Sequence, residues 1–379
     1  MDGSILRDGL PISPVPFMTD FEEAISFKEL YKGLQKAKRN VLWKNSVSGY
    51  DLNALEKTWE LRQSFLNGTY RISEYQHFTI HEPKEREIVA TRLKDRQFQR
   101  SLCDNILYPQ ITKGFIHDNC ACLKGKGVSF ALDRMKVHLQ RYYRKHGADG
   151  WVLKCDIQHY FPETPHETAK EALRKRVKDH EALKHAEDII DSFGGEKGIG
   201  LGSQVSQLVE LAVLDDLDHY IKERLKIRHY IRYMDDFILI HQDREVLENA
   251  LREIRGKVET IGLILNRKTQ IMPLKHGIRF LKWRHILTDS GKVILRIHRG
   301  SIKRESKRLK ELAKAVKEGK IGTDRMDASF QSWKAHAMRG NTRYVIKKME
   351  RLYETLKGEI ENGYCNSGTG ADDESNGES

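Results

Sequence analysis

Apolar residues recur at helical spacing from Phe21 to Phe65. Leu30, Leu34, Val41 and Trp43, then Leu52, Leu55, Trp59, Leu61 and Phe65, predict a series of amphipathic helices. Asn67-Gly68 is a turn signal, and strand-like segments follow at Tyr70–Ile72, Gln76–Ile80 and Glu87–Ala90, interrupted by Pro83–Arg86. Helical spacing returns over 94–112 with Phe98, Leu102, Ile106 and Leu107. A loop over Gly114–Gly127 leads to a helix over Phe130–Arg144 with a strongly basic face. Trp151–Cys155 is a short strand ending at Asp156. Charged helices over 165–193, a glycine-rich connection over Gly194–Gly202 and one long apolar-striped helix over Ser206–Leu225 come next. Tyr230–Tyr233 and Phe237–His241 are two strands joined by a tight turn at Met234-Asp235-Asp236. A helix over 243–262, short strands over 263–284 and basic helices over 300–357 complete the pattern. The first 20 residues, with three prolines, read as an irregular arm. The segment from Asn362 has no apolar anchors and reads as disordered.

The two strands that end in carboxylates carry the chemistry. An Asp-Asp pair is usually only a turn, because Asp suits turns. Here Ile231 and Tyr233 precede the pair, and Phe237-Ile238-Leu239-Ile240 follows it. Charges between two core strands are costly unless something binds them. Asp156 at a third strand end can bring a third carboxylate to the same sheet edge. Three carboxylates, with substrate phosphates and water, suffice for hard divalent cations. Two such ions ~4 Å apart serve nucleotidyl transfer, activating a primer hydroxyl and stabilising the leaving pyrophosphate. Asp215-Asp216 falls in a helix and reads as surface.

Composition narrows the partners. The chain has 379 residues, 39% of them hydrophobic, enough for a large core and two or three subdomains. Its net charge of +12 and pI of about 9.3 favour a polyanionic partner. Cys103, Cys120, Cys122, Cys155 and Cys365 are odd in number and lack paired CxxC spacing, which argues against a disulfide framework or a four-cysteine zinc site. Cys120 and Cys122 read as packing residues, and a reducing cytoplasm fits. There is no signal peptide pattern and no run of ~18 apolar residues, so no membrane span is expected.

Tyr233-Met234-Asp235-Asp236 resembles the YxDD box of reverse transcriptases, and Asp156-Ile157-Gln158-His159-Tyr160-Phe161 resembles their first palm motif. The resemblance implies that Asp156, Asp235 and Asp236 are catalytic metal ligands for two Mg²⁺ ions, with Mn²⁺ as a substitute. It also implies that Phe161 is the steric gate against a ribose 2′-hydroxyl. Lys84 and Arg86 resemble the fingers pair that grips the incoming triphosphate. Leu265-Asn266-Arg267-Lys268-Thr269 resembles the motif whose Lys268 lies near the departing pyrophosphate. Phe280-Leu281-Lys282-Trp283 resembles the primer grip, where the family more often has Phe-Leu-Gly. The implied fold is an α+β right-hand polymerase. Its parts are an N-terminal helical extension (1–69), fingers (70–150), a palm with an antiparallel sheet (151–285, with a helical insertion over 165–200), a helical thumb (286–360) and a disordered tail (361–379). Arg304, Lys307, Arg308, Lys310 and Lys314 of the thumb suit phosphate contacts.

Leu201-Gly202-Ser203-Gln204-Val205-Ser206-Gln207 stands where most of the family has Gln-Gly-x-x-x-Ser-Pro, under the nascent base pair. Leu201 in place of Gln and Gln207 in place of Pro resemble the enzymes of diversity-generating retroelements. Leu123–Gly127 and Ser332–Ala337 with Gly340-Asn341-Thr342 echo the same subgroup. The resemblance implies a bacterial or phage-encoded cytoplasmic enzyme that miscopies adenine. Its partners would be template RNA, an RNA/DNA duplex, dNTPs and a small basic accessory protein. The alternatives are a defence-associated reverse transcriptase of retron or abortive-infection type, and, from another class, a catalytically inactive RNA-binding module.

Overall fold

The computed structural model describes residues 19–81 and 85–367. The expected N-terminal arm, Lys84 and the last twelve residues of the tail lie outside them.

Thr19 starts α1 (Asp20–Ala24) with a reciprocal cap: its hydroxyl accepts from the Glu22 amide, and the Glu22 carboxylate accepts from the Thr19 amide. α2 (Phe27–Ala37), α3 (Asn45–Leu52) and α4 (Ala54–Leu66) follow. β1 (Gln76–Ile80) and β2 (Arg86–Ala90) pair antiparallel. Tyr70–Ile72 is not a strand. The Tyr70 ring stacks on Phe65 at 4.3 Å and its hydroxyl donates to Asp95, so the segment is held by a side chain rather than by a ladder. α5 (Leu93–Leu102) passes through a π turn at Cys103–Leu107 into α6 (Tyr108–Thr112). Pro109 lacks an amide donor at that junction, which accounts for the irregular ladder.

α7 (Val128–His146) precedes β3 (Trp151–Asp156). Then come α8 (Tyr160–Glu163), α9 (His166–Arg174), α10 (His180–Asp191), α11 (Gln204–Val213) and α12 (Asp215–His219). The single helix expected over Ser206–Leu225 is broken after Val213 and again by a π turn at Tyr220–Arg224. Asp215 is not a surface residue. Its carboxylate is buried against the Arg176 guanidinium at 2.7 Å, while Asp216 stays largely exposed beside Lys175. β4 (His229–Tyr233), β5 (Asp236–His241), α13 (Arg244–Thr260), β6 (Gln270–Pro273), β7 (Ile278–Phe280), β8 (Trp283–Leu287) and β9 (Val293–Ile297) lead to α14 (Arg299–Lys317), α15 (Thr323–Ala337) and α16 (Arg343–Ser367). β9 is additional to the expected strands. α16 continues to Ser367, beyond the Asn362 boundary, because a formed helix propagates at little cost per residue.

The chain divides into two compact units, each assembled from separated segments. One comprises 1–117, 157–219 and 256–264. Its centre includes Phe21, Leu30, Leu34, Leu61, Phe98 and Leu102, all buried, with Phe21, Phe65, Tyr70 and Phe98 in ring contact. α2 approaches α5 so closely at Gly33 that a Cβ there would lie 2.5 Å from the Gln97 carbonyl oxygen.

The other unit comprises 118–156, 220–255 and 265–379. It holds an antiparallel sheet in the order β4-β5-β3-β6 and a second sheet β7-β8-β9. Met135, Leu139 and Tyr142 of α7 share one core with Val152, Ile231, Ile238 and Ile240 of the first sheet. Leu309, Phe330, Trp333 and Tyr353 of the last three helices share another core with Trp283. Burying each such side chain contributes roughly 1.5–3 kcal/mol. No helix among the described residues is long and apolar enough to cross a membrane. Of the CxC pair, Cys120 is buried in packing but Cys122 is exposed.

Candidate active site

The sheet brings the carboxylates to one edge. β3 and β5 are in register so that Asp156 stands opposite Asp236 as their terminal pair. Tyr233 also stands opposite Asp236, so β4 and β5 are closed by the two-residue turn Met234-Asp235. Met234 takes the left-handed conformation with φ 56°, which costs a non-glycine residue on the order of 1–3 kcal/mol. The fully buried Arg232 offsets part of that strain. Its guanidinium donates to the Met234 carbonyl at 3.1 Å, while its backbone pairs with Asp118 and Cys120. Arg232 is a positioning residue that sequence reading missed.

The electrostatics of this edge are unbalanced. Lys154 donates to Asp236 Oδ2 at 2.9 Å and to the Arg279 carbonyl. Asp236 Oδ1 is buried and has no hydrogen-bond partner among the described residues. Burial pushes the Asp236 carboxyl above the usual carboxylate range. The Asp235 carboxyl is pushed up to about 6, mainly by burial and further by Asp156 and Asp236, against the help of its own backbone amide. Hard oxygen donors, one of them unsatisfied, crowded with too little positive charge, fit divalent cations of the Mg²⁺ kind. Among the described residues no three His, Cys, Asp or Glu side chains already form a closed metal cage. A site that shares its cations with substrate phosphates and water does not need one.

The loop carrying Lys268 is tied to the same strand end. The Asn266 amide donates to the Asp156 carbonyl at 2.7 Å, the Lys268 amide donates to Asn266 Oδ1, and the Thr269 amide closes the turn on the Asn266 carbonyl. The Lys268 side chain is exposed. Asn266 therefore acts as the clip of this motif.

The other unit carries the remaining expected residues. Tyr160 is core: it is buried, and its hydroxyl donates to the Glu210 carbonyl at 2.6 Å. Phe161 is half-buried, and its carbonyl accepts from Ile199. The half-buried Leu201 accepts from the Val89 amide at 3.0 Å, which fixes this segment against β2. Gly202 has φ 132°, and a Cβ there would lie 2.9 Å from the Val89 carbonyl oxygen, so glycine is required. Ser203 caps α11 and donates to Gln99, and Gln207 is exposed on that helix. Arg86 is exposed at the start of β2, opposite Ile80.

A family model described as reverse transcriptase (RNA-dependent DNA polymerase) matches residues 82–284, more than half of the chain. Protein YkfC of Escherichia coli strain K12 is 25% identical over 270 residues, which span 60% of this chain and 70% of that protein. A solved telomerase from Candida albicans, in complex with a fragment of telomeric RNA, is 10% identical with a TM-score of 0.47, covering 85% of this chain and 66% of that one. The apo telomerase of Candida tropicalis is 10% identical with a TM-score of 0.47, covering 82% and 62%. The chain thus spans less than two thirds of these telomerase chains. Its helices and antiparallel sheets are those of a right-hand polymerase fold. On the match over residues 82–284, the chain belongs to the reverse transcriptase family of RNA-dependent DNA polymerases.

Proposed function

We propose that this chain copies a template RNA into cDNA as the error-prone polymerase of a diversity-generating retroelement. The observation that carries the polymerase reading is the pairing of Asp156 with Asp236 beside the Met234-Asp235 turn, with a buried carboxylate oxygen left unsatisfied. Asp156 and Asp235 would hold two divalent cations, Mg²⁺ or its substitute Mn²⁺, with Asp236 in support. Bound there, the cations supply neutralisation of the charge that develops on the attacking and leaving oxygens. Arg232 keeps the turn in its strained form. Lys268 offers positive charge toward the departing pyrophosphate, and Lys84 and Arg86 grip the incoming triphosphate. Phe161 closes the space that a ribose 2′-hydroxyl would need. Leu201 and Gly202 lie under the nascent base pair, with Gln207 behind them. Residues 70–150 serve as fingers, 151–285 as palm and 286–360 as thumb.

The adenine preference follows from Leu201. An aliphatic side chain offers no hydrogen bond to hold the geometry of the forming pair. A polar contact near the base is worth about 1 kcal/mol or more, and ~1.4 kcal/mol changes selectivity tenfold. A small basic accessory protein is the remaining partner. Because both proteins are basic, its contact would use local acidic patches or an RNA bridge.

The test is deep sequencing of cDNA made on one RNA by the wild type and by Leu201→Gln. The wild type should misincorporate opposite adenine more than opposite the other three bases, and the variant should narrow that gap. Equal accuracy at all four template bases in the wild type would remove the retroelement assignment and leave the polymerase.

A further inference from the structure

A second basic site lies at the far end of the strands that carry the catalytic turn. β4 begins at His229 and β5 ends at His241, and a cleft of about 710 Å³ opens there. Six residues of extended chain separate His229 from Asp235, on the order of 20 Å at ~3.3 Å each. The cleft is therefore distinct from the carboxylate edge, within the same unit.

Its charge is one-sided. Arg134, Arg141 and Lys145 line it from α7, and Lys222, Lys226 and Arg228 line it from the segment before β4. The single carboxylate in the lining is Asp118. Asp118 is buried and already shared among Arg134, His138 at 2.9 Å and Lys222 at 2.6 Å. Those contacts build a rigid floor. They leave Arg141, Lys145, Lys226 and Arg228 without an acidic partner among the described residues, all exposed. Four unpartnered cations converging on one concavity repel one another unless an anion enters.

The shape selects the anion. Arg141 and Lys145 stand one turn apart on one face of α7, about 6 Å along the helix, with Arg134 two turns further back in the floor. With Lys226 and Arg228 from the segment before β4, that gives four exposed cations in the lining, enough to meet successive phosphates rather than one small anion. One strand can lay its phosphates into a cleft of about 710 Å³. His146 and His241, also in the lining, offer imidazole faces on which unpaired bases can stack.

We propose that this cleft is a second RNA site, which holds the backbone of a single-stranded RNA segment remote from the residue being copied. The proposal rests on the polymerase reading only for the choice of RNA among polyanions. It anchors the RNA through phosphates, so it carries no sequence preference.

The test uses the full chain and the variant Arg141→Gln/Lys145→Gln/Arg228→Gln, whose exposed side chains support no described contact of the core. Binding of poly(U) is measured against salt, and extension of a short template–primer is measured in parallel. Removing three phosphate contacts should make the slope of log K against log[salt] shallower by about 2 for a single strand. Affinity at low salt should fall at least tenfold, with short-primer extension unchanged. An unchanged slope overturns the proposal. So does loss of short-primer extension, which would place these residues in the fold or the copying site. So does a variant that loses inorganic tripolyphosphate binding but keeps its poly(U) slope, which would mark a small-anion pocket. A wild type that extends no primer yet loses poly(U) slope on substitution would sink the polymerase reading and leave this site standing.

Discussion

Phe161 and Tyr160 are adjacent aromatics with opposite environments. Tyr160 is buried and anchored through its hydroxyl, while Phe161 stays half-open. Only the second is free to meet a sugar. Phe161→Ala should raise the ratio of ribonucleotide to deoxyribonucleotide incorporation by about tenfold or more, since ~1.4 kcal/mol of lost steric discrimination suffices. The measurement is competitive single-nucleotide extension, and an unchanged ratio would make Phe161 a packing residue. At this scale the sequence was legible where chemistry interrupts a pattern. Asp235 and Asp236 stand out because apolar strand residues flank them on both sides. Arg232 does not stand out, because a single polar residue inside a strand resembles an outward-facing position. Only the segment at Asp118–Cys120, pairing beside β4, shows that it is fully buried. Asp215 was misread for the same reason: its partner Arg176 is remote in sequence.

Among the elements, α7 joins the core of the four-stranded sheet to the basic cleft. One face packs Met135, Leu139 and Tyr142, and the next carries Arg134 and His138 onto Asp118. The three partners hold the Asp118 carboxyl well below the usual carboxylate range, although burial alone would raise it. The sign follows from that depression. Asp118 contributes stability above the unfolded carboxylate pKa, near 4, and loses it as pH falls further. Asp118→Asn should destabilise by roughly 3–5 kcal/mol at neutral pH, because it leaves buried cations uncompensated. The gap in melting temperature between wild type and variant should close as pH drops below about 4. A gap that is constant with pH would mean the loss is one of shape, not charge. Most helices of this protein were legible from spacing, the breaks within 206–225 excepted, as were the hairpin of β4 and β5 and the ribbon of β1 and β2. The short strands of 151–155 and 263–284 were legible too, but one expected strand is absent and one was missed. Tyr70–Ile72 has the composition of a strand but no ladder partner among the described residues, and β9 pairs with β8 in the stretch between the strands expected to 284 and the helices expected from 300. The turn between β7 and β8 closes with Leu281 at φ 49° and Lys282 at φ 68°, so the hairpin forms without the expected glycine and carries the strain in its backbone.

For the whole molecule, the excess of 12 positive charges is partly gathered into exposed groups. Arg304, Lys307, Arg308, Lys310 and Lys314 are exposed along α14, and the cleft beside α7 holds another group. A chain with this charge should bind polyanions with an affinity that falls steeply with salt. Charge predicted the class of partner but not its distribution, because clustering across elements is a tertiary property. The central claim is that Asp156, Asp235 and Asp236 form the nucleotidyl-transfer site. It is tested most directly by single-turnover primer extension on an RNA template with Mg²⁺, comparing wild type with Asp235→Asn/Asp236→Asn. Two amides in place of two carboxylates remove the charge that offsets the cations, and loss of such stabilisation costs about a hundredfold or more. The account predicts a fall of at least that size, with a melting temperature no lower than wild type, because crowded like charges have been relieved. Extension by the double variant at a rate near that of the wild type would contradict it.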